Sequence, residues 1–164
     1  MGGPDEASSS GRSRTAAKSV GPLKRVKQYG LLSLLGRGGM GEVYLAHDAK
    51  LDRRVAVKFL PDTLHEEPKA RERFLREAKA AAALDHPFIC KVIEAGESQG
   101  RSYIVMEYVE GRSLKDIVAE GPMPLADAVR AVIEVAEALE AAHRKGIVHR
   151  DLKPANLMCT PQGH

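Results

Sequence analysis

The chain has 164 residues, 43% of them hydrophobic and 29% charged, with a formal charge of +3, the balance of one soluble domain large enough to build its own core. No uncharged apolar run approaches the roughly 18 residues a membrane span needs, and no apolar leader core opens the chain. Residues 1–28 carry +4 and the remainder −1, so the basic surplus belongs to a tail and argues against a nucleic-acid-binding face.

Residues 1–22 are rich in Gly, Ser, Ala and Pro and have no apolar period. They read as disordered, and the whole basic tail of 1–28 is set outside the fold. Order is expected from Tyr29. The run LLSLLGRGGMGEVYLAHD reads as two strands joined by a glycine turn, with a polar turn at 50–53 after it. VAVKFL at 55–60 is a β-branched third strand stopped by Pro61. Over 68–84 the composition turns to Arg, Glu, Lys and Ala, and Phe74, Ala78, Ala81 and Ala82 recur at spacings of three and four, which predicts a helix ended by Asp85, His86 and Pro87. KVIEAG and RSYIVMEYV read as strands four and five around a turn at 97–100. Ser113, with Asp116 three residues on, can cap a short helix. Leu125, Val129, Val132, Ala136, Leu139 and His143 form the stripe of a longer helix that Gly146 stops. The order strand-strand-strand-helix-strand-strand-helices is an α+β arrangement.

Three segments carry chemistry. Gly36, Gly38 and Gly41 give the spacing G-x-G-x-x-G, which lets a backbone lie against phosphate oxygens. A dinucleotide-binding fold shares the spacing but continues into a helix, whereas Glu42-Val43-Tyr44-Leu45 reads as strand; a plain glycine hairpin also fits. Lys58 stands within the apolar strand Val55-Ala56-Val57, where an ammonium needs a partner unless it snorkels to the surface. Glu77, three residues after Phe74, shares that residue's inward helix face and is the carboxylate expected within salt-bridge reach of Lys58. Third, His149-Arg150-Asp151-Leu152-Lys153-Pro154-Ala155-Asn156 sets a candidate base, a cation and an amide in one loop. The other histidines, His47, His65, His86, His143 and His164, show no metal-ligand spacing, and His149 reads as a packed core histidine. Cys90 and Cys159 are isolated, which fits a reducing compartment and a cytoplasmic location.

Taken in order, the glycine loop, VAVK and HRDLKPAN resemble the eukaryotic-like protein kinases, in particular their bacterial serine/threonine members, over residues 29–164. The resemblance implies a protein-kinase-like fold: a five-stranded antiparallel N-lobe with one helix (29–106), a hinge (107–112) and a partial, mainly helical C-lobe (113–164). It implies ATP and magnesium as cofactors and a protein bearing Ser or Thr as substrate. By position, Leu35, Gly36, Arg37, Gly38, Gly39, Met40 and Gly41 would cover the ATP phosphates. Val43 and Ala56 would sandwich the adenine from above and Met158 from below. Met106 would be the gatekeeper, and the backbones of Glu107 and Val109 would bond the adenine. Lys58 would hold the α- and β-phosphates and pair with Glu77. Asp151 would accept the substrate hydroxyl proton, Lys153 would stabilise the γ-phosphate, and Asn156 would bind a magnesium ion.

The D-F-G segment of the family, its activation loop and A-P-E do not occur in the 164 residues. Two readings follow. One is an ATP-dependent kinase of protein Ser/Thr hydroxyls; the other is a nucleotide-binding or interaction module without phosphoryl transfer. On this reading the 164 residues alone are expected to be marginally stable and to turn over no substrate at a useful rate.

Overall fold

The computed structural model describes residues 24–38, 41–61 and 67–164. The expectation of disorder over 1–22 lies outside these ranges. Strands β1 (Arg25–Val26), β2 (Tyr29–Gly38), β3 (Gly41–Asp48), β4 (Arg53–Phe59), β5 (Val92–Ser98) and β6 (Arg101–Glu107) form one antiparallel sheet in the order β1-β2-β3-β4-β6-β5. Helix α1 (Pro68–Ala82) enters between β4 and β5. The five expected strands and the helix all occur, in the expected order.

The sixth strand is a correction. Arg25–Val26 pairs with Tyr29–Gly30 around a turn in which Lys27 adopts φ 47°. A two-residue strand has no period to betray it. Its order comes from tertiary contacts instead: Val26 is fully buried, and Glu94 on β5 accepts hydrogen bonds from Lys27 Nζ at 2.5 Å, the Tyr29 hydroxyl at 3.0 Å and the Tyr103 hydroxyl at 2.7 Å. That carboxylate clasps the β1–β2 turn to the β5–β6 pair, and the charge-assisted bonds make it stronger than a neutral contact.

Strand alternation divides the sheet into two faces. Val55, Val57 and Phe59 of β4 are fully buried with Tyr103 and Val105 of β6, Ala46 of β3 and Tyr29 of β2. Phe59 meets Tyr44 edge-on, ring centroids 5.9 Å apart. Burying a side chain of this size contributes about 1.5–3 kcal/mol, so this face supplies most of the adhesion. Ala56 and Lys58 alternate onto the opposite face.

Helix α1 opens on Pro68 at its first turn, where the missing N–H is no loss. It lies against β5 and β6 through the small buried residues Ala70 and Ala78. Past its end, the Ala83 carbonyl accepts a hydrogen bond from Lys145 Nζ.

The second unit holds β7 (Arg112–Ser113), α2 (Leu114–Ala119), α3 (Leu125–Arg144), a 3-10 turn (Pro154–Asn156) and β8 (Met158–Cys159). Ser113 caps α2 as expected: its Oγ accepts the Asp116 N–H at 3.1 Å and donates to Asp116 Oδ2 at 2.6 Å. Gly146 stops α3 at φ 72°. Its N–H bonds the His143 carbonyl at 2.9 Å and the Ile147 N–H reaches back to Ala142 at 3.0 Å, the double closure of a left-handed helix end. Leu125, Val129, Val132 and Ile133 of α3 stay exposed. The β7–β8 pairing, Arg112 opposite Cys159 and Ser113 opposite Met158, joins the start of this unit to its end.

One glycine of the β2–β3 hairpin is demanded by the fold. Gly41 has φ +106°, and a Cβ there would stand 1.9 Å from the Phe59 carbonyl oxygen. Around Gly36 a Cβ would meet nothing within 4 Å. Gly41→Ala should therefore lower stability by more than about 2 kcal/mol, while Gly36→Ala should change it by less than about 1 kcal/mol. Urea denaturation measures both, and equal midpoints for the two variants would contradict this account of the hairpin.

Candidate functional site

The face of the sheet opposite the core carries the first group. Val43 lies opposite Lys58, Lys58 opposite Ile104, and Ala56 opposite both Leu45 and Met106. Directly opposed residues share a face, so Val43, Ala56, Lys58 and Met106 line one patch across three strands. Lys58 is half-buried there. Burial pushes its amine below the ordinary lysine value; the charges of Asp151 and Glu77 oppose that shift, and Lys153 adds to it.

Glu77 departs from the expectation. No ion pair joins it to Lys58 among the described residues, and Glu77 is exposed. Glu77 nevertheless acts on the charge of Lys58. Helix α1 packs on β5 and β6, with Ala70 and Ala78 its buried residues.

The second group is the loop after α3. Arg150 sits at φ 61°, in the left-handed region that a bulky residue rarely occupies. The Asp151 N–H closes back on the His149 carbonyl at 2.9 Å, a γ-turn of the strained hand, and it also lies 3.3 Å from His149 Nδ1. His149 itself is exposed, which corrects the expectation of a packed core histidine: its ring serves this local turn, and no described element covers it.

The turn presents Asp151 to its partners. Lys153 Nζ lies 3.0 Å from Asp151 Oδ1 and 2.9 Å from Oδ2. Asn156 Nδ2 donates to the Asp151 carbonyl at 2.8 Å and to Oδ2 at 2.9 Å. The hydrogen bond from Lys153 holds the Asp151 carboxyl below the ordinary carboxylate value, and the Asn156 bond and the charges of Lys153 and His149 act the same way against a smaller effect of burial. Asn156 is placed by the 3-10 turn, its own N–H bonding the Lys153 carbonyl at 2.9 Å.

The glycine loop rises from β2 and β3. Gly36 pairs with Val43, Arg37 with Glu42 and Gly38 with Gly41, and Leu35 falls at a register shift. Gly39 and Met40 lie outside the described residues. A Cβ at Gly36 or Gly38 would meet nothing, so neither glycine is required by packing within the protein. The Arg37 guanidinium reaches Glu42 at 2.6 Å. Since Val43 shares the face of Lys58, Glu42 and this ion pair lie on the other face.

Glu107 ends β6. Its N–H donates to the Lys91 carbonyl at 2.9 Å, its side chain accepts the Lys91 N–H at 2.7 Å, and its carbonyl accepts from Cys90 Sγ at 3.5 Å. Val109 follows in the connection without regular structure, and Met158, partly exposed, lies on β8 opposite Ser113. A shallow hollow lined by Leu84, His86, Lys91 and Glu107 has no wall from Lys58, Asp151 or the glycine loop. The structure thus gathers Asp151, Lys153 and Asn156 around one another, and the charges of Asp151 and Glu77 both act on Lys58. Sequence reasoning missed the strained Arg150, the β7–β8 pairing and the partners of Glu42. None has a periodic signal; only the Arg37–Glu42 charge pair flanking the loop hinted at the last.

The family model for the protein kinase domain matches residues 29–164. Among curated proteins, the serine/threonine-protein kinase PknB of Mycobacterium leprae is 49% identical over 136 residues, covering 80% of this chain and 22% of that protein. Serine/threonine-protein kinase pkn2 of Myxococcus xanthus is 46% identical over 130 residues, covering 79% of this chain and 16% of that one. This chain therefore spans about a fifth of the length of these relatives. The crystal structure of the Mycobacterium tuberculosis PknI kinase domain superposes with a TM-score of 0.73 at 36% identity, covering 81% of this chain and 54% of that domain. No described helix is long and apolar enough to cross a membrane. The matched span, the relatives and the superposed fold agree, and the chain belongs to the protein kinase domain family, among its bacterial serine/threonine members.

Proposed function

We propose that this chain carries the nucleotide-binding and catalytic-loop portion of an ATP-dependent protein kinase acting on Ser/Thr hydroxyls. The observation that carries the reading is the cluster in which Asp151 is bonded to Lys153 and Asn156 while its charge acts on the half-buried Lys58. A half-buried cation on a strand face, within electrostatic reach of a loop that carries Arg150 and Lys153 around Asp151, suits a polyanion.

The roles implied by the family pattern are supported by placement. Lys58 holds the α- and β-phosphates, and its lowered affinity for a proton is recovered when phosphate charge arrives. Val43, Ala56 and Met106, apolar and on the face of Lys58, receive the adenine ring, with Met158 on its other side. The glycine loop from Leu35 to Gly41 brings backbone N–H groups to the phosphates, and the open space over Gly36 and Gly38 leaves room for that approach. The backbones of Glu107 and Val109 bond the adenine edge from the hinge, 107–112, which divides an N-lobe at 29–106 from the C-lobe elements at 113–164. Asp151 orients the substrate hydroxyl and takes its proton, and Lys153 stabilises the γ-phosphate. Glu77 completes the Lys58 pair once α1 moves toward β4. The reaction draws on cytoplasmic ATP, with a protein as phosphoryl acceptor.

The donor set fits magnesium, which prefers hard oxygen ligands shared with phosphates. Asn156, next to the Asp151 carboxylate, is the residue that would hold it. When bound, the ion neutralises phosphate charge.

Binding of an ATP analogue, followed by calorimetry, tests the first half of the reading. Lys58→Met should weaken it at least tenfold, and equal affinity would refute the assigned role. The pH dependence of phosphoryl transfer, measured in the protein that carries this domain, tests the second. Because Lys153 and Asn156 hold Asp151 below the ordinary carboxylate range, its carboxylate is ionised at neutral pH, and transfer is lost only once the pH falls far enough to protonate it. Lys153→Met should move that acid limb upward. Asp151→Asn should abolish transfer while leaving nucleotide affinity within about threefold, and retained turnover in that variant would refute the base assignment.

A further inference from the structure

We propose that Glu42 is a positioning residue for the glycine-rich loop: its carboxylate ties Arg37, on the strand entering the loop, to Arg101 at the start of β6, from the face of the sheet opposite Lys58. The inference rests on the reading of that loop as the phosphate-binding element and names the residue that holds its neck.

Arg37 stands between Gly36 and Gly38 on the way into the loop, and Glu42 follows Gly41 on the way out; the two are cross-strand partners. The Arg37 guanidinium lies 2.6 Å from Glu42 Oε1 and that of Arg101 3.4 Å from Oε2. The Tyr44 hydroxyl donates to Oε2 at 3.3 Å. This is not a lone surface pair, for the Glu42 side chain is only 18% exposed and that of Arg101 14%. Arg101 also has its guanidinium 4.6 Å from the ring centroid of Phe59, which is fully buried in the core. A line of contacts thus runs from the core through Arg101 and Glu42 to the loop. Burial alone would raise the Glu42 carboxyl, but the bond from Arg101, the charge of Arg37 and the bond from Tyr44 hold it below its ordinary value. The carboxylate is therefore ionised at neutral pH.

The consequence is preorganisation. A backbone with glycine at 36, 38 and 41 loses more conformational freedom than other residues when it settles around an anion, and ordering of this kind subtracts from affinity. A clasp across the neck removes part of that freedom beforehand. Because Glu42 faces away from Lys58, it touches no ligand and acts only through the loop.

The test compares Glu42→Gln, Arg37→Gln and the double variant for affinity toward a non-hydrolysable ATP analogue, with amide hydrogen exchange over 36–38 and 41–43 measured without nucleotide. Glu94→Gln is the control for general loosening, since it disturbs the cluster holding β1–β2 and lies in no binding group. Each single variant should weaken affinity about three- to fivefold, and the double should be no worse than either, as expected of partners in one clasp. Exchange over 36–38 should quicken in Glu42→Gln, and Glu42→Asp should recover part of the affinity. Glu94→Gln should lower the melting temperature without moving affinity. Wild-type affinity and exchange in Glu42→Gln, or an equal affinity loss in Glu94→Gln, would overturn the inference while leaving the nucleotide reading intact. Failure of the unaltered chain to bind the analogue at all would sink both.

Discussion

A lysine ammonium held on a strand between apolar neighbours is the constraint to which the site answers. Lys58 lies between Val57 and Phe59 in sequence and faces Val43 and Ile104 across the sheet. Burial there works against its charge, and an isolated cation would shed its proton rather than remain. Its compensation comes from outside the sheet, chiefly from Asp151, nearly a hundred residues further along the chain. The second unit therefore has to be docked accurately. The closed end of α3 turns the chain at Gly146, Lys145 fastens that turn to the end of α1, and the strained Arg150 presents Asp151.

Stability and chemistry are divided between the two faces of the sheet. The face with Phe59, Tyr103, Val57 and Val105 is fully buried and carries the polar clasps of Glu94 and Glu42 at its margins. On the face with Lys58, Ala56 and Met106, Ala56 is buried while Lys58 and Met106 are half-buried. Strand alternation alone enforces this: a one-residue slip of β4 would put Lys58 in the core and Val57 in the site. Gly41, pressed against the Phe59 carbonyl, helps to fix the register of the hairpin that borders both.

Much of this was legible in the sequence. The β-branched run VAVKFL, ended by Pro61, marked β4, the spacing of Phe74, Ala78, Ala81 and Ala82 marked α1, and Ser113 with Asp116 marked a helix start that the structure makes with the expected bonds. The loop after α3 was legible because HRDLKPAN sets its charges at fixed offsets, and the same offsets bring Lys153 and Asn156 onto Asp151. What escaped had no local pattern. β1 is ordered by Val26 and by Glu94, sixty-eight positions beyond Val26, and a two-residue strand announces neither. His149 was expected as a packed core histidine, yet it is exposed and its ring serves a local turn. The spacing that grouped Glu77 with Phe74 did not tell that Glu77 would stand exposed, since periodicity sets the rotation of a helix about its axis and says nothing of where the axis stands.

The central claim is that Lys58 is a desolvated cation awaiting phosphate charge. Its titration, followed by NMR of lysine labelled with carbon-13 at Cε and assigned by loss of the signal in Lys58→Met, tests this directly. One lysine should titrate below the ordinary lysine range in the free chain and move upward when an ATP analogue binds. A Lys58 signal that titrates with the solvent-exposed lysines and ignores the nucleotide would contradict the account.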